Sequence, residues 1–288
     1  MISARSRALL DRYALASHVL SRETGERMAT EAGQSVEFHD YRPYQRGDEL
    51  RYVDWKVYAR TGRLYTRLYQ AERTINVHLV IDTSPSMALG DKLRYGRLVA
   101  QLLSYVAQRD AVCQVHLFDG KASPLAWGRA AVPMAWSFIA GAAAVGGDQA
   151  PVAAIKRFAL KTRFAAGAGL VIIISDLFDE TPLRPALTAL KARGLDASFL
   201  QLVAASDLEP TEGQLELFDV ESGDKLQVGP DEVRAYRQAV QRFLARTRNA
   251  VLRAGFRYSL LRVAGEDEAG LERAAFAALL RAGILIRR

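Results

Sequence analysis

What this chain has little of narrows its chemistry first. It carries one cysteine, Cys113, in 288 residues, so no internal disulfide can form; that usage fits a reducing compartment. No stretch approaches the ~20 apolar residues that a membrane-crossing helix needs. Near the N-terminus, Arg5, Arg7, Asp11 and Arg12 interrupt the apolar residues too early for a signal-peptide core. The expectation is a cytoplasmic protein, at most peripheral to a membrane. No Gly-x-x-x-x-Gly-Lys-Ser/Thr phosphate loop is present and no Gly-x-Gly-x-x-Gly follows the first buried strand, which argues against an ATPase or a nicotinamide enzyme. Histidines are few: His18, His39, His78 and His116. His78 and His116 fall within strand-like apolar patterns and His18 in a helical one, so only His39 would be watched as a general base.

What is present is a large apolar fraction, 50% of residues, and a net charge of +7. The basic excess belongs to the flanks, most of all to residues 231–288, with 12 basic and 6 acidic groups. That reads first as a solvated, arginine-rich helix face, with a surface for an acidic partner, anionic lipid or RNA as the alternative. The run Val77-His78-Leu79-Val80-Ile81-Asp82-Thr83-Ser84-Pro85-Ser86 is a buried strand that ends in a carboxylate and two hydroxyls. Leu170-Val171-Ile172-Ile173-Ile174-Ser175-Asp176 is a second such run, also ending in Asp. If the two strands are parallel neighbours, Asp82, Ser84, Ser86 and Asp176 share one rim. Two converging carboxylates repel unless a cation or hydrogen bonds compensate them, and an all-oxygen set suits Mg²⁺. Asp and Ser as plain caps of the following helix are the alternative.

This Asp-x-Ser-x-Ser strand with a later strand-end Asp resembles the metal-ion-dependent adhesion site of von Willebrand factor A domains, over roughly residues 74–199. The resemblance implies a divalent ion, Mg²⁺, whose open coordination position a partner's carboxylate completes. The loop Thr of that pattern is missing. Here the loop reads Val145-Gly146-Gly147-Asp148, leaving Gly147 and Asp148 as the additional metal-site positions.

Upstream lies a charged box with Arg42-Pro43-Tyr44-Gln45-Arg46-Gly47-Asp48, Arg51-Tyr52-Val53-Asp54-Trp55 and Ala59-Arg60-Thr61-Gly62. These three submotifs, in order before the Asp-x-Ser-x-Ser strand, resemble the bacterial "domain of unknown function 58" family, from about residue 37 onward. The resemblance implies partnership with a MoxR-type AAA+ ATPase in protein maturation or complex assembly. Within the box, Arg42, Asp48, Arg51, Asp54, Trp55 and Arg60 read first as a salt-bridged platform with Trp55 buried. A protein-binding surface is the alternative; the acidic residues argue against nucleic acid, because they repel phosphates.

Strand and helix patterns alternate after residue 75: helices over 93–108, 133–141, 151–161, 184–193, 231–253 and 271–280, strands over 113–118, 197–203 and 256–263, and a hairpin of 215–218 with 225–228. A short edge strand is expected at 124–127, and Asp91 at the first helix's N-terminus. The expected fold is α/β: a doubly wound, mostly parallel sheet of von Willebrand A (Rossmann-like) type. Residues 1–74 form a helical and charged extension; residues 75–288 form the main domain, including the hairpin near 214–228. The functional expectation is a non-enzymatic protein-interaction module, with a metal-dependent phosphoesterase or related hydrolase as the alternative. The client protein, oligomeric state and ion are not legible.

Overall fold

The computed structural model describes residues 2–16, 36–71, 76–144, 150–162, 164, 169–208, 215–218, 225–228, 230–263 and 267–288. The chain divides into two units, one of Leu20–Thr74 and one of Met1–Val19 with Ile75–Arg288. In chain order the elements are α1 (Ala4–Leu10), β1 (Tyr13–Leu15), β2 (Val36–Pro43), α2 (Trp55–Thr61), β3 (Tyr65–Ala71), β4 (Asn76–Ile81), α3 (Lys92–Asp110), β5 (Val112–Leu117), α4 (Val132–Ala140), α5 (Pro151–Lys161), β6 (Gly169–Ser175), α6 (Arg184–Ala192), β7 (Asp196–Val203), α7 (Ala205–Leu208), β8 (Leu215–Phe218), β9 (Lys225–Val228), α8 (Pro230–Arg253), β10 (Arg257–Arg262), α9 (Glu268–Arg281) and β11 (Leu285–Arg287).

Continuous apolar runs make the central strands. Every residue of β4 and of β6 is buried, as a strand covered on both faces requires. The sheet of the larger unit is wholly parallel, in the order β10-β7-β6-β4-β5. Side chains alternate between its faces. Leu79, Ile81, Ile172 and Ile174 point to a core shared with Val99, Leu102 and Leu103 of α3 and Leu279 of α9. Val80, Val171 and Ile173 point to the opposite core, with Ile155 of α5, Leu187 and Leu190 of α6 and Val251 of α8. The sheet is thus doubly wound. From β4 the chain crosses one face through α3 to β5, and from β6 it crosses the other face through α6 to β7. The connections diverge between β4 and β6, so the crevice beyond their C-terminal ends is the topological switch point.

Residues 13–15 belong to this unit, because β1 pairs antiparallel with β11. β8 and β9 pair antiparallel as the expected hairpin, with Leu215 opposite Val228. The expected strand at 124–127 reduces to single antiparallel bridges, Cys113 with Ala126 and His116 with Ala122. Pro124 has no N–H to continue a ladder. Ser123 stitches the edge instead: its backbone N–H donates to Val115 O at 2.8 Å, and its Oγ accepts from Val115 N at 3.0 Å.

In the smaller unit β2 and β3 pair antiparallel, with an irregularity between Phe38 and Asp40. Asp54 starts α2 by accepting from the backbone N–H of Lys56 and Val57 at 2.9 and 3.1 Å, the cap expected of Asp. Gly62, at φ +67°, closes the helix through a bond from its N–H to Tyr58 O.

His78 of β4 and His116 of β5 lie side by side, Nδ1 to Nε2 at 3.1 Å, against the rings of Phe158 and Phe164. Burial lowers His78 to about 4, and burial together with His78 lowers His116 to about 3. Both are neutral in the folded state and titrate normally when unfolded. Their stabilisation is therefore complete above about pH 6.5 and is lost as the pH falls toward 4. Thermal melts across pH 4–8 are expected to show that acid-side loss. The double variant His78→Gln/His116→Gln, which keeps a polar pair without titrating, is expected to flatten it; an unchanged profile would contradict the assignment.

Candidate functional site

The structure brings Asp82, Ser84, Ser86 and Asp176 to the same rim, at the switch point. Adjacent registry places them there, since Ile81 pairs with Ile174 and the Asp82 N–H donates to Ile174 O at 2.9 Å. Asp82 and Asp176 are fully buried. One Asp82 oxygen accepts from the Ser84 backbone N–H at 2.7 Å and the other from the Ser175 hydroxyl. The Ser84 and Ser86 hydroxyls face each other at 3.1 Å. Burial, and secondarily the Asp176 carboxylate, push Asp82 up to about 7. Thr83 Oγ1 is buried, with no hydrogen-bond partner among the described residues. Leu177, which follows Asp176, sits at φ +56°, an uncommon conformation for a branched side chain; its N–H donates to Ser175 Oγ at 2.8 Å.

Sequence reasoning missed the group that organises this rim. Lys92, the first residue of α3, is 1% exposed. Its ammonium donates to Asp176 Oδ2 at 2.7 Å, lies 3.3 Å from Asp207 Oδ2, and packs over the Phe178 ring at 5.1 Å. The other Asp176 oxygen accepts from Phe178 N at 3.2 Å. Asp207 also accepts from the Ala204 backbone N–H at 2.8 Å. Behind them Gln201 donates to the Asp176 carbonyl, and Tyr258 OH donates to Gln201 Oε1, each at 2.7 Å. Asp91 stands at the N-terminus of α3 as expected, in a left-handed conformation, exposed and without a side-chain cap bond. A signal existed: a lysine in a helix's first turn opposes the helix dipole and calls for a local reason.

The donor set can be tested against the Mg²⁺ that the resemblance implies. Mg²⁺ demands near-octahedral oxygens. All four oxygens of Asp82 and Asp176 already accept hydrogen bonds from the chain, and a full positive charge contacts Asp176. The Ser84 and Ser86 hydroxyls are hydrogen-bonded to each other. In this arrangement the residues do not fit a resident divalent ion unless Lys92 is displaced. Among the described residues no group of three or more His, Cys, Asp or Glu side chains is placed to hold a metal. Gly147 and Asp148 lie outside the described residues.

The charged box divides into an inner frame and an outer face. Asp48 accepts from Arg42 at 2.6 Å, the Gln45 N–H at 3.0 Å and Thr66 Oγ1 at 3.0 Å; hydrogen bonding, led by Gln45, holds it below the usual carboxylate range. Asp54, 3% exposed, accepts from Tyr41 OH at 2.7 Å besides capping α2. Trp55 is not buried as expected: it is 56% exposed and meets the half-exposed Tyr58 edge-to-face at 6.2 Å. It follows the cap residue, and its side chain leaves the frame on α2's outer side. Arg51 stacks on Tyr52 and pairs with Glu49 on the surface, and Arg60 is exposed. His39 falls in β2, and its side chain lies outside the described residues.

Residues 40–250 match the family described as "Protein of unknown function DUF58". Uncharacterized proteins of Mycobacterium bovis and Mycobacterium tuberculosis are 36% identical over 66 residues, 23% of this chain and 21% of theirs; the match thus spans about a fifth of those relatives. Among solved structures, the conserved hypothetical protein BatB from Bacteroides thetaiotaomicron aligns at TM-score 0.40 and 17% identity, over 72% of this chain and 98% of that one. The pilus adhesin SpaC from Lactobacillus rhamnosus GG aligns at TM-score 0.42 and 8% identity, over 75% of this chain and 32% of its own.

Asp82 binds a proton more tightly in the folded state, so its contribution is favourable at low pH and is lost as the pH rises from about 4 through 7. Asp82→Asn keeps an acceptor for Ser84 N and offers a donor to Ser175 Oγ without that charge. In urea unfolding, its stability relative to the native chain is expected to rise between pH 5 and pH 8. A pH-independent difference would contradict the burial argument.

Proposed function

Because the chain belongs to the DUF58 family, whose description assigns no activity, we propose from its own chemistry that it is a non-enzymatic protein-interaction component. One observation carries this reading: the small unit exposes aromatic and basic side chains around a hydrogen-bonded frame. Trp55 and Leu50 are more than half exposed, and Lys56, Arg60 and Arg63 are exposed with them. The acidic residues Asp48 and Asp54 are turned inward as cap and ion-pair partners. Exposed Trp and Arg are the residue types that dominate binding energy at interfaces. The outward charge selects an acidic partner surface.

Chemistry at the rim is weakly supported. Its carboxylates are committed to internal donors, and of the histidines with described side chains, His78 and His116 sit within the sheet, paired with each other and held neutral by burial against Phe158. Among the described residues no general base stands beside a nucleophile. By family resemblance the partner is a MoxR-type AAA+ ATPase, and the work is maturation or assembly of another protein.

Trp55→Ala and Tyr58→Ala are expected to shift stability by no more than about 0.5 kcal/mol, as for exposed positions, while weakening binding of the purified ATPase at least tenfold. Calorimetry and a binding titration on the same samples read both. A large loss of stability would restore the buried-platform reading. Asp82-dependent hydrolysis of a phosphoester by the native chain would replace the interaction reading with the hydrolase one.

A further inference from the structure

We propose that Lys92 is the resident cation of the strand-end rim: its ammonium supplies the positive charge that a divalent ion would otherwise bring, so the rim assembles without metal. Three elements build its seat. The start of α3 delivers Lys92, the end of β6 delivers Asp176, and the short helix α7 after β7 delivers Asp207. The lysine side chain is 1% exposed, that of Asp176 0% and that of Asp207 12%. A lysine is almost never buried to this degree unless paired, and here it meets two carboxylates and an aromatic face.

The backbone is shaped for that delivery. Gly90, at φ +58°, passes so close to the turn after β7 that an added Cβ would meet Ala204 Cβ at 2.3 Å. Gly90 therefore has both a conformational and a steric reason to lack a side chain. Asp91 follows in the same left-handed region, and the chain then turns so that Lys92 enters the rim. Asp207 is fixed in turn by the Ala204 N–H. This is a prearranged socket for an ammonium.

A tethered cation behaves differently from a bound ion. It cannot be removed by a chelator, and its donors are already pointed at Asp176 and Asp207, so it offers no open coordination position for a partner's carboxylate. Recognition through the rim would then be independent of Mg²⁺. The inference is separate from the partner's identity, and its failure would leave the aromatic face of the small unit untouched.

The test uses the full chain and the metal alone. Thermal melts in EDTA and in 5 mM Mg²⁺, with Mn²⁺ binding followed by electron paramagnetic resonance, are compared for the native protein and for Lys92→Met. The native Tm is expected to move by less than about 1 °C between the two conditions, with no Mn²⁺ bound; an ion present at 100 times its Kd would raise Tm by roughly 5–10 °C. Lys92→Met strands two carboxylates, so its Tm in EDTA should fall by roughly 10 °C and recover by several degrees with Mg²⁺. Stoichiometric Mn²⁺ binding by the native chain, or a rise in its Tm of several degrees with Mg²⁺, would overturn the proposal. So would a Lys92→Met protein that melts like the native one in EDTA. If the variant does not fold, the two native measurements decide the matter.

Discussion

The buried charge at the switch point of the sheet is the constraint around which the larger unit is organised. Parallel strands β4 and β6 must each end somewhere, and both end in aspartates enclosed by protein. Removing ionised carboxylates from water costs several kcal/mol each unless charges and hydrogen bonds compensate. Here the compensation comes from Lys92, Ser175 Oγ and the backbone N–H groups of Ser84 and Phe178. That requirement explains features that packing alone does not: the left-handed backbone at Gly90, Asp91 and Leu177, the short Pro85–Asp91 turn, and the cap that Asp207 makes on Ala204.

Much of this was legible beforehand. The strands over 77–81 and 170–175 announced themselves by length, β-branching and abrupt polar ends, and the helices after them by apolar spacing. That pattern puts the two aspartates on one rim provided the strands are parallel neighbours, which the structure makes them. What could not be read was how their charge is balanced. Resemblance supplied a metal; the structure places a lysine that is distant in sequence from Asp176 and Asp207. The one local sign of Lys92 is its place in the first turn of α3, where a positive charge opposes the helix dipole; no local pattern identifies a partner 84 residues away. The edge at 124–127 failed for a simpler reason, since Pro124 interrupts the ladder that its apolar neighbours suggest.

The small unit shows a second limit of sequence reading. Arginines and aspartates alternate densely in the box, which suggests a uniform salt-bridged platform. In the structure they separate by role, because a short acidic side chain after a turn can cap a helix while a longer basic one reaches solvent. Asp48 and Asp54 turn inward, and Arg60, Lys56 and Trp55 turn outward. Two acidic residues that seemed to dilute the surface charge, Asp48 and Asp54, are part of the frame, while Glu49 stays on the surface beside Arg51.

The account stands or falls on the state of one ammonium group. Heteronuclear NMR of ¹⁵N-lysine-labelled protein, with the Lys92 signal assigned by Lys92→Arg, reads it directly. Exchange of NH₃⁺ protons with water is fast at exposed lysines and slow at a buried, hydrogen-bonded one. At pH 7 a single slowly exchanging ammonium signal from Lys92 is expected, unchanged by EDTA or Mg²⁺ and lost in Asp176→Asn. A Lys92 signal that exchanges as fast as those of the surface lysines, or that moves on adding Mg²⁺, would contradict a rim held together by its own lysine.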